Sequence, residues 1–278
     1  MTGHREIDTR FQGAAHAVCV HQVDGFLVDP GPESSVANVF AALGDERPRA
    51  VLLTHIHLDH AGAAGALVER WPDVEVWVHR NGARHIIDPS RLVASATRIY
   101  GDDMERLWGR IVPVPEANVR ILDDAGAAEG LRWAHTPGHA SHHVAYLHEA
   151  SGLALCGDVA GVRIGGGPVL APTPPPDIDV PAWHRSIDLV AAWAPSALAL
   201  THYGTFDDVD AHLTRLHAAL DRAAEVARDG DAARFEQDVR ATFSGQDEEQ
   251  AYLEAMPPDT LYGGLARYWK NVDTSRTP

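Results

Sequence analysis

The sequence predicts an α/β fold in which β-sheets are covered by helices. Three features lead there: short apolar runs of strand length, amphipathic segments of helix length between them, and helical spacing alone after residue 202. Runs bounded by Gly, Pro or Asp read as buried strands, and their alternation with helices suggests layers.

In chain order, strands are expected at 17–22 (AVCVHQ), 26–31 (FLVDPG), 49–54 (RAVLLT) and 74–79 (VEVWVH). Four more follow at 131–136 (LRWAHT), 143–148 (HVAYLH), 152–158 (GLALCGD) and 197–202 (ALALTH). Helices are expected at 35–43, 61–71, 89–108 and 181–193, the last opening on a Pro suited to a first turn. Beyond His202, residues Val209, Leu213, Leu216, Leu220, Ala223 and Ala227 recur at steps of four and three, one stripe of a helix that Asp207 or Asp208 would cap. Phe235, Val239 and Phe243 mark another helix, and Leu261, Leu265 and Tyr268 a last one. The chain therefore divides into a main body over 1–228 and a helical extension over 229–278 packed on it. Tyr268 and Trp269 offer that extension an apolar surface, for burial or for a homo-oligomer contact. The segment 161–179, with five Pro and four Gly, reads as a flap, since loops of that length in compact domains are commonly functional.

Composition excludes several classes. A formal charge of −16 repels phosphate backbones and anionic bilayers, so neither nucleic acid nor membrane is expected as a partner. The opening MTGHREIDTRFQG lacks the basic start and apolar run of a secretory signal, which points to a cytoplasmic protein. Cys19 and Cys156 lie within strand-like runs and read as small buried hydrophobes rather than a disulfide.

The stretch LLTHIHLDHAG places His55, His57, Asp59 and His60 at one strand end. In an extended segment His55 and His57 share a side, and a turn into a helix near Gly62 swings Asp59 and His60 toward the same pocket. Imidazoles and carboxylates so spaced are standard ligands for zinc, iron or manganese. Further candidates end other strands: His139 in HTPGH, Asp158 in LALCGD and His202 in LALTH.

The ordered set H-x-H-x-D-H, TPGH, GD and TH, over roughly 15–225, resembles the metallo-β-lactamase superfamily, nearest in pattern to its glyoxalase II and lactonase branches. That resemblance implies a four-layer αββα sandwich with the helical C-terminal extension added, and two divalent metal ions, zinc first and iron or manganese as alternatives. It assigns His55, His57 and His139 to one ion and Asp59, His60 and His202 to the other, with Asp158 bridging. Asp29 would stand behind the ligands, and His142 and His143 are candidates for supporting or substrate contacts. The implied activity is a dinuclear hydrolase in which a bridging hydroxide cleaves a small ester, thioester or lactone. Asp59 would act both as ligand and proton acceptor, and Tyr203 is a candidate oxyanion donor.

The alternatives are a mononuclear non-haem iron oxygenase of the persulfide dioxygenase type and a small-molecule phosphodiesterase. Departures from the branches are visible. Gly161 stands where lactonases of this type carry a tyrosine three residues after the bridging aspartate. From 207 to the end there are 15 acids against 8 basic residues, which disfavours a glutathione thioester, with Arg267 and Lys270 as late exceptions. Val169, Leu170 and the flap prolines suggest a small, partly apolar substrate, and Arg163 would take one anionic group.

Overall fold

Alternation along the strands decides the architecture. The structure, a computed structural model, describes residues 3–276. One sheet runs β1 (His4–Asp8), β2 (Cys19–Val23), β3 (Phe26–Val28), β4 (Ala50–Leu52), β5 (Glu75–His79), β6 (Val119–Leu122) in that spatial order. The other holds β7 (Ala125–Ala128), β8 (Leu131–His135), β9 (Val144–His148), β10 (Leu153–Leu155), β11 (Ala197–Leu200) and β12 (Gly204–Phe206), again each beside the next. Both sheets are mixed, with β3 to β6 mutually parallel and β10 parallel to β11.

Side chains of period two fill the layers. Phe26, Val28, Leu52 and Trp77 from the first sheet meet Tyr146, Leu153, Leu155 and Ala199 from the second, an apolar slab between the sheets. The alternate residues Leu27, Val51, Val76 and Val78 face outward onto helices α1 (Val36–Leu43), α2 (Leu58–Ala61), α3 (Ala64–Arg70) and α4 (Arg80–Ile87) through Val39, Leu43, Leu67 and Ile86. Helices α5 (Ser90–Tyr100) and α6 (Met104–Trp108) follow before β6. On the far side, Ala154, Leu198 and Leu200 meet Trp183 and Ile187 of α7 (Val180–Ala192) and Leu213, Leu216 and Leu220 of α8 (Val209–Arg228). Each Val, Leu, Ile or Phe side chain so withdrawn from water contributes about 1.5–3 kcal/mol. The outcome is the expected four-layer sandwich.

The expected strands are all present, shorter by one to four residues, and β2 is shifted, starting at Cys19 and running on to Val23. Four further strands carried no apolar run: β1, β6, β7 and β12, which are the edges of the two sheets. An edge strand has one paired neighbour and tolerates sequences such as HREID and AGAA. The helix expected over 89–108 is broken at Gly101, whose φ of +54° ends α5. Asp208 does precede α8, but its side chain makes no capping bond and is drawn instead to Arg163 and Arg215.

The C-terminal helices α9 (Ala232–Phe243), α10 (Glu249–Ala255) and α11 (Pro258–Arg276) continue the outer layer, with α9 and α11 packed on α8. Trp269 Nε1 donates to the Ala224 carbonyl at 2.7 Å, so this aromatic is used internally. Tyr252 of α10 holds the 161–179 loop, accepting from Ile164 N–H at 3.0 Å and donating to the Pro168 carbonyl at 2.7 Å. Among the described residues, no helix is long and apolar enough to cross a membrane.

Candidate metal centre

All the metal-ligand candidates lie in the connections that follow strands, gathered at one end of the sandwich. His55 and His57 follow β4, and His57 is the residue from which α2 starts, so Asp59 and His60 sit in that short helix. His139 lies between β8 and β9, Asp158 just past β10, and His202 just past β11. Glycines set two of these positions. Gly138 has φ +137° and a Cβ there would lie 2.3 Å from Trp183 Cα; Gly157 has φ +49° and its Cβ would lie 2.3 Å from Thr54 Oγ1. Only glycine lets the chain pass so close while turning His139 and Asp158 inward.

The geometry brings the seven residues into two groups. In one, His57 Nδ1 stands 2.9 Å from His55 Nε2 and 3.0 Å from His139 Nε2. In the other, His202 Nε2 stands 3.3 Å from Asp59 Oδ2, and His60 Nε2 3.6 Å from the same oxygen. Asp158 lies between them: Oδ2 is 3.3 Å from His139 Nε2, and Oδ1 is 3.3 Å from His60 Nε2.

Hydrogen bonds behind the rings fix which nitrogens carry protons. His139 Nδ1 faces the Pro172 carbonyl at 3.0 Å and His202 Nδ1 the Ala17 carbonyl at 2.8 Å, so both Nδ1 atoms donate. His60 Nδ1 donates to Asp29 Oδ2 at 2.8 Å. The Thr54 hydroxyl donates to Asp29 at 2.7 Å, and therefore accepts from His55 Nδ1 at 3.1 Å. Every one of these rings then turns a lone pair inward, toward other lone pairs or carboxylates. That arrangement is repulsive on its own and suits cations.

Two more observations test the fit of a metal. His60 Nε2 and Asp158 Oδ1 are buried and have no hydrogen bond of acceptable geometry, although they face each other. Asp29, Asp59 and Asp158 are gathered here, and among the described residues their ion pairs are with histidines only, no Lys or Arg. Buried carboxylates without a cationic partner are costly, and the donor set is one that divalent transition metals take.

Electrostatics divide the groups. Burial, then His60 and its neighbours, holds His55 well below the ordinary histidine range. Burial and His139 bring His57 down to about 4. These rings stay neutral and available as ligands at neutral pH. Burial would also lower His60 and His202, but Asp158 first and then Asp59 outweigh it and raise both. Burial pushes Asp59 up, yet His60 and His202 hold it down at about 2, ionised.

A cavity of about 370 Å³ opens onto His57, Asp59 and Asp158. Its walls come from Phe11, Leu58, Leu92, Tyr100 and Trp108, from Pro172 and Pro174–176 of the flap, and from Met256 and Leu261 of the C-terminal extension. Sequence reasoning missed most of this wall. Leu92, Ala96 and Tyr100, spaced by four, were the legible trace on α5.

Several sequence expectations require correction. Arg163 is drawn to Asp208 at 2.6 Å and packs over Phe206, so it does not serve the cavity. Val169 and Leu170 line a separate cavity of about 270 Å³ beside α8 and α9, and Lys270 lines neither. The Tyr203 ring lies against His16 at 4.8 Å rather than in the cavity wall. His143 stacks on His55 at 5.0 Å with its Nδ1 on Thr136, and His142 lies parallel to His55 at 6.2 Å. Both back the ligands rather than the cavity. Thr201, not singled out by the sequence, adds a third donor to Asp29 Oδ2 at 2.8 Å.

A family model described as the metallo-beta-lactamase superfamily matches residues 8–202. Among curated proteins, the probable metallo-hydrolase YqgX of Bacillus subtilis (strain 168) is 32% identical over 136 residues, 48% of this chain and 59% of YqgX. The hydroxyacylglutathione hydrolase of Aeromonas salmonicida (strain A449) is 29% identical over 145 residues, 50% of this chain and 43% of that one. The match thus spans about half the length of these relatives. Among solved structures, the metallo-beta-lactamase family protein TTHA1429 from Thermus thermophilus superposes with a TM-score of 0.66 at 20% identity, covering 98% of this chain and 93% of that one. That likeness concerns the fold, C-terminal helices included.

Proposed function

Because the chain belongs to the metallo-beta-lactamase superfamily, we propose that it is a dinuclear metal-dependent hydrolase of a small ester, thioester or lactone. One observation carries the reading: Asp158 turns one carboxylate oxygen to each of two groups of imidazole and carboxylate ligands. His55, His57 and His139 would hold one divalent ion and Asp59, His60 and His202 the other, zinc being the first choice. When bound, such ions supply Lewis acidity that acidifies water and offsets negative charge building on an acyl oxygen.

The chain's own residues do the rest. Asp29 fixes the His60 ring through Nδ1, and the Pro172 and Ala17 carbonyls fix His139 and His202. Asp59 is ionised and faces the cavity, placed to take a proton from water at its carboxylate. The apolar walls exclude bulk water and position the acyl group. With a charge of −16, the partner is a small molecule rather than a polyanion. The hydroxyacylglutathione hydrolase and the metallo-hydrolase among its relatives support hydrolysis as the reaction class.

The test is elemental analysis of the purified protein, followed by an ester, thioester and lactone panel. The expected result is about two divalent ions per chain, with Asp158→Ala losing metal and turnover together. One iron with oxygen consumption would favour the oxygenase alternative. Full turnover by Asp158→Ala would sink the assignment.

A further inference from the structure

We propose that the cavity selects acyl substrates with an apolar body and a single distal carboxylate, received by Arg98 and Arg267. The inference rests on the hydrolase reading and adds the class of molecule. Arg98 comes from α5 and Arg267 from α11, yet both line the cavity whose floor is His57, Asp59 and Asp158. Neither guanidinium has an ion pair or hydrogen bond to protein among the described residues. By contrast, Arg163 and Arg215 are tied to Asp208, and Arg110 to Glu33 and Glu69.

Charge balance sets the ligand's charge. Glu254 is the one further carboxylate in the lining, and the Gln250 side chain donates to it at 2.7 Å. With Asp59 and Asp158 given to the metal ions, two guanidinium groups against Glu254 leave a single positive charge at this end of the cavity, matched to a monoanion. On a chain of net charge −16, anions are repelled elsewhere, so this wall is where one can approach. A planar fork also suits a carboxylate geometrically.

The space between the two ends is apolar. Phe11, Leu58, Leu92, Trp108, Met256 and Leu261 line it. Ile99, next to Arg98, is 48% exposed at the same wall, an exposure that folding does not explain. Such walls offer a peptide backbone few partners, and an unpaired amide there is costly. The moiety between the reacting carbonyl and the carboxylate is therefore hydrocarbon or aryl.

The test uses the metal-loaded full-length protein and p-nitrophenyl monoesters of succinic, adipic and suberic acids. Each is compared with its neutral twin, in which the free carboxyl is a methyl ester. For at least one chain length, wild type should favour the acid by about tenfold in kcat/KM, mainly through KM, as one charge-assisted pairing at a partly wet site allows. The ratio should fall to about one in R98Q/R267Q and to intermediate values in either single variant. Arg91→Gln, on the same helix but outside the cavity, should keep it. A second readout is calorimetric binding of the monoamides of the same diacids against their neutral diamides, expected to show the same preference and the same loss. No preference at any chain length, or a preference that survives the double substitution, overturns the proposal. Should no ester be turned over while the monoamides still bind in an arginine-dependent way, the hydrolase reading fails and the anion site stands.

Discussion

Asp29 is the buried residue on which the second ligand group leans, and Asp29→Asn isolates its charge. Its Oδ1 accepts from Thr54 N–H at 2.8 Å, while Oδ2 accepts from the Thr54 hydroxyl at 2.7 Å, Thr201 at 2.8 Å and His60 Nδ1 at 2.8 Å. The residue has φ +47°, a left-handed conformation that asparagine tolerates better than alanine, so backbone strain is kept out of the comparison. An amide cannot satisfy these donors in either orientation, because its NH₂ must replace an oxygen that receives at least one. Leaving one buried donor unpaired costs about 1–3 kcal/mol of stability. Losing the carboxylate behind His60 should weaken metal binding by about 10–100-fold, or roughly 1.4–2.7 kcal/mol. Competition against a chelator of known affinity reads the metal term, and urea unfolding reads the stability term. The reasoning is refuted if Asp29→Asn keeps wild-type stoichiometry and an affinity within about threefold.

Two other predictions concern the frame around the centre. Gly138→Ala would set a Cβ 2.3 Å from Trp183 Cα at a φ of +137°, so a loss of about 4 kcal/mol is expected together with depleted metal, since His139 is the next residue; a melting temperature and metal content equal to wild type would contradict this. His212 is not among the metal-ligand candidates, and burial, only partly offset by its bond to the Ala160 carbonyl, lowers its pKa from 6.5 to about 4. The unfolded chain then takes up the proton first, so this stability is present above pH 6.5 and is lost as pH falls from there toward about 4. Replacing it, as in His212→Gln, should flatten urea-unfolding stability against pH by up to about 1.4 kcal/mol per pH unit in that window; equal slopes in the two proteins would count against it.

What could be read from the sequence follows from where each residue sits. Strands with both faces covered, such as RAVLLT and ALALTH, show the uninterrupted apolar runs AVLL and ALAL because both alternating sets are buried. The edge strands β1, β6, β7 and β12 have no such requirement and were invisible. The ligand candidates were legible because a histidine or aspartate at an apolar strand's end has no cheap structural explanation. Their orientation was not, since it depends on carbonyls of Ala17 and Pro172 that local sequence does not link to them. Arg163 was assigned to substrate because it lies in the flap, but Asp208, 45 positions later, captures it. The cavity wall joins residues 11, 92–108 and 254–267, and no single window of sequence contains that juxtaposition.

The cavity has a reactive floor and a recognising roof drawn from different parts of the chain. The floor rides on turns locked between two sheets, where a shift of one ligand disturbs all the others. The roof includes Glu254, Met256, Leu261 and Arg267, carried by α10, by α11 and by the turn between them, with α11 packed on the outside of α8. Grafting a different helical cap onto the same sandwich should therefore redirect selectivity while sparing the chemistry beneath it, a separation that lets one scaffold acquire new substrates without rebuilding its centre.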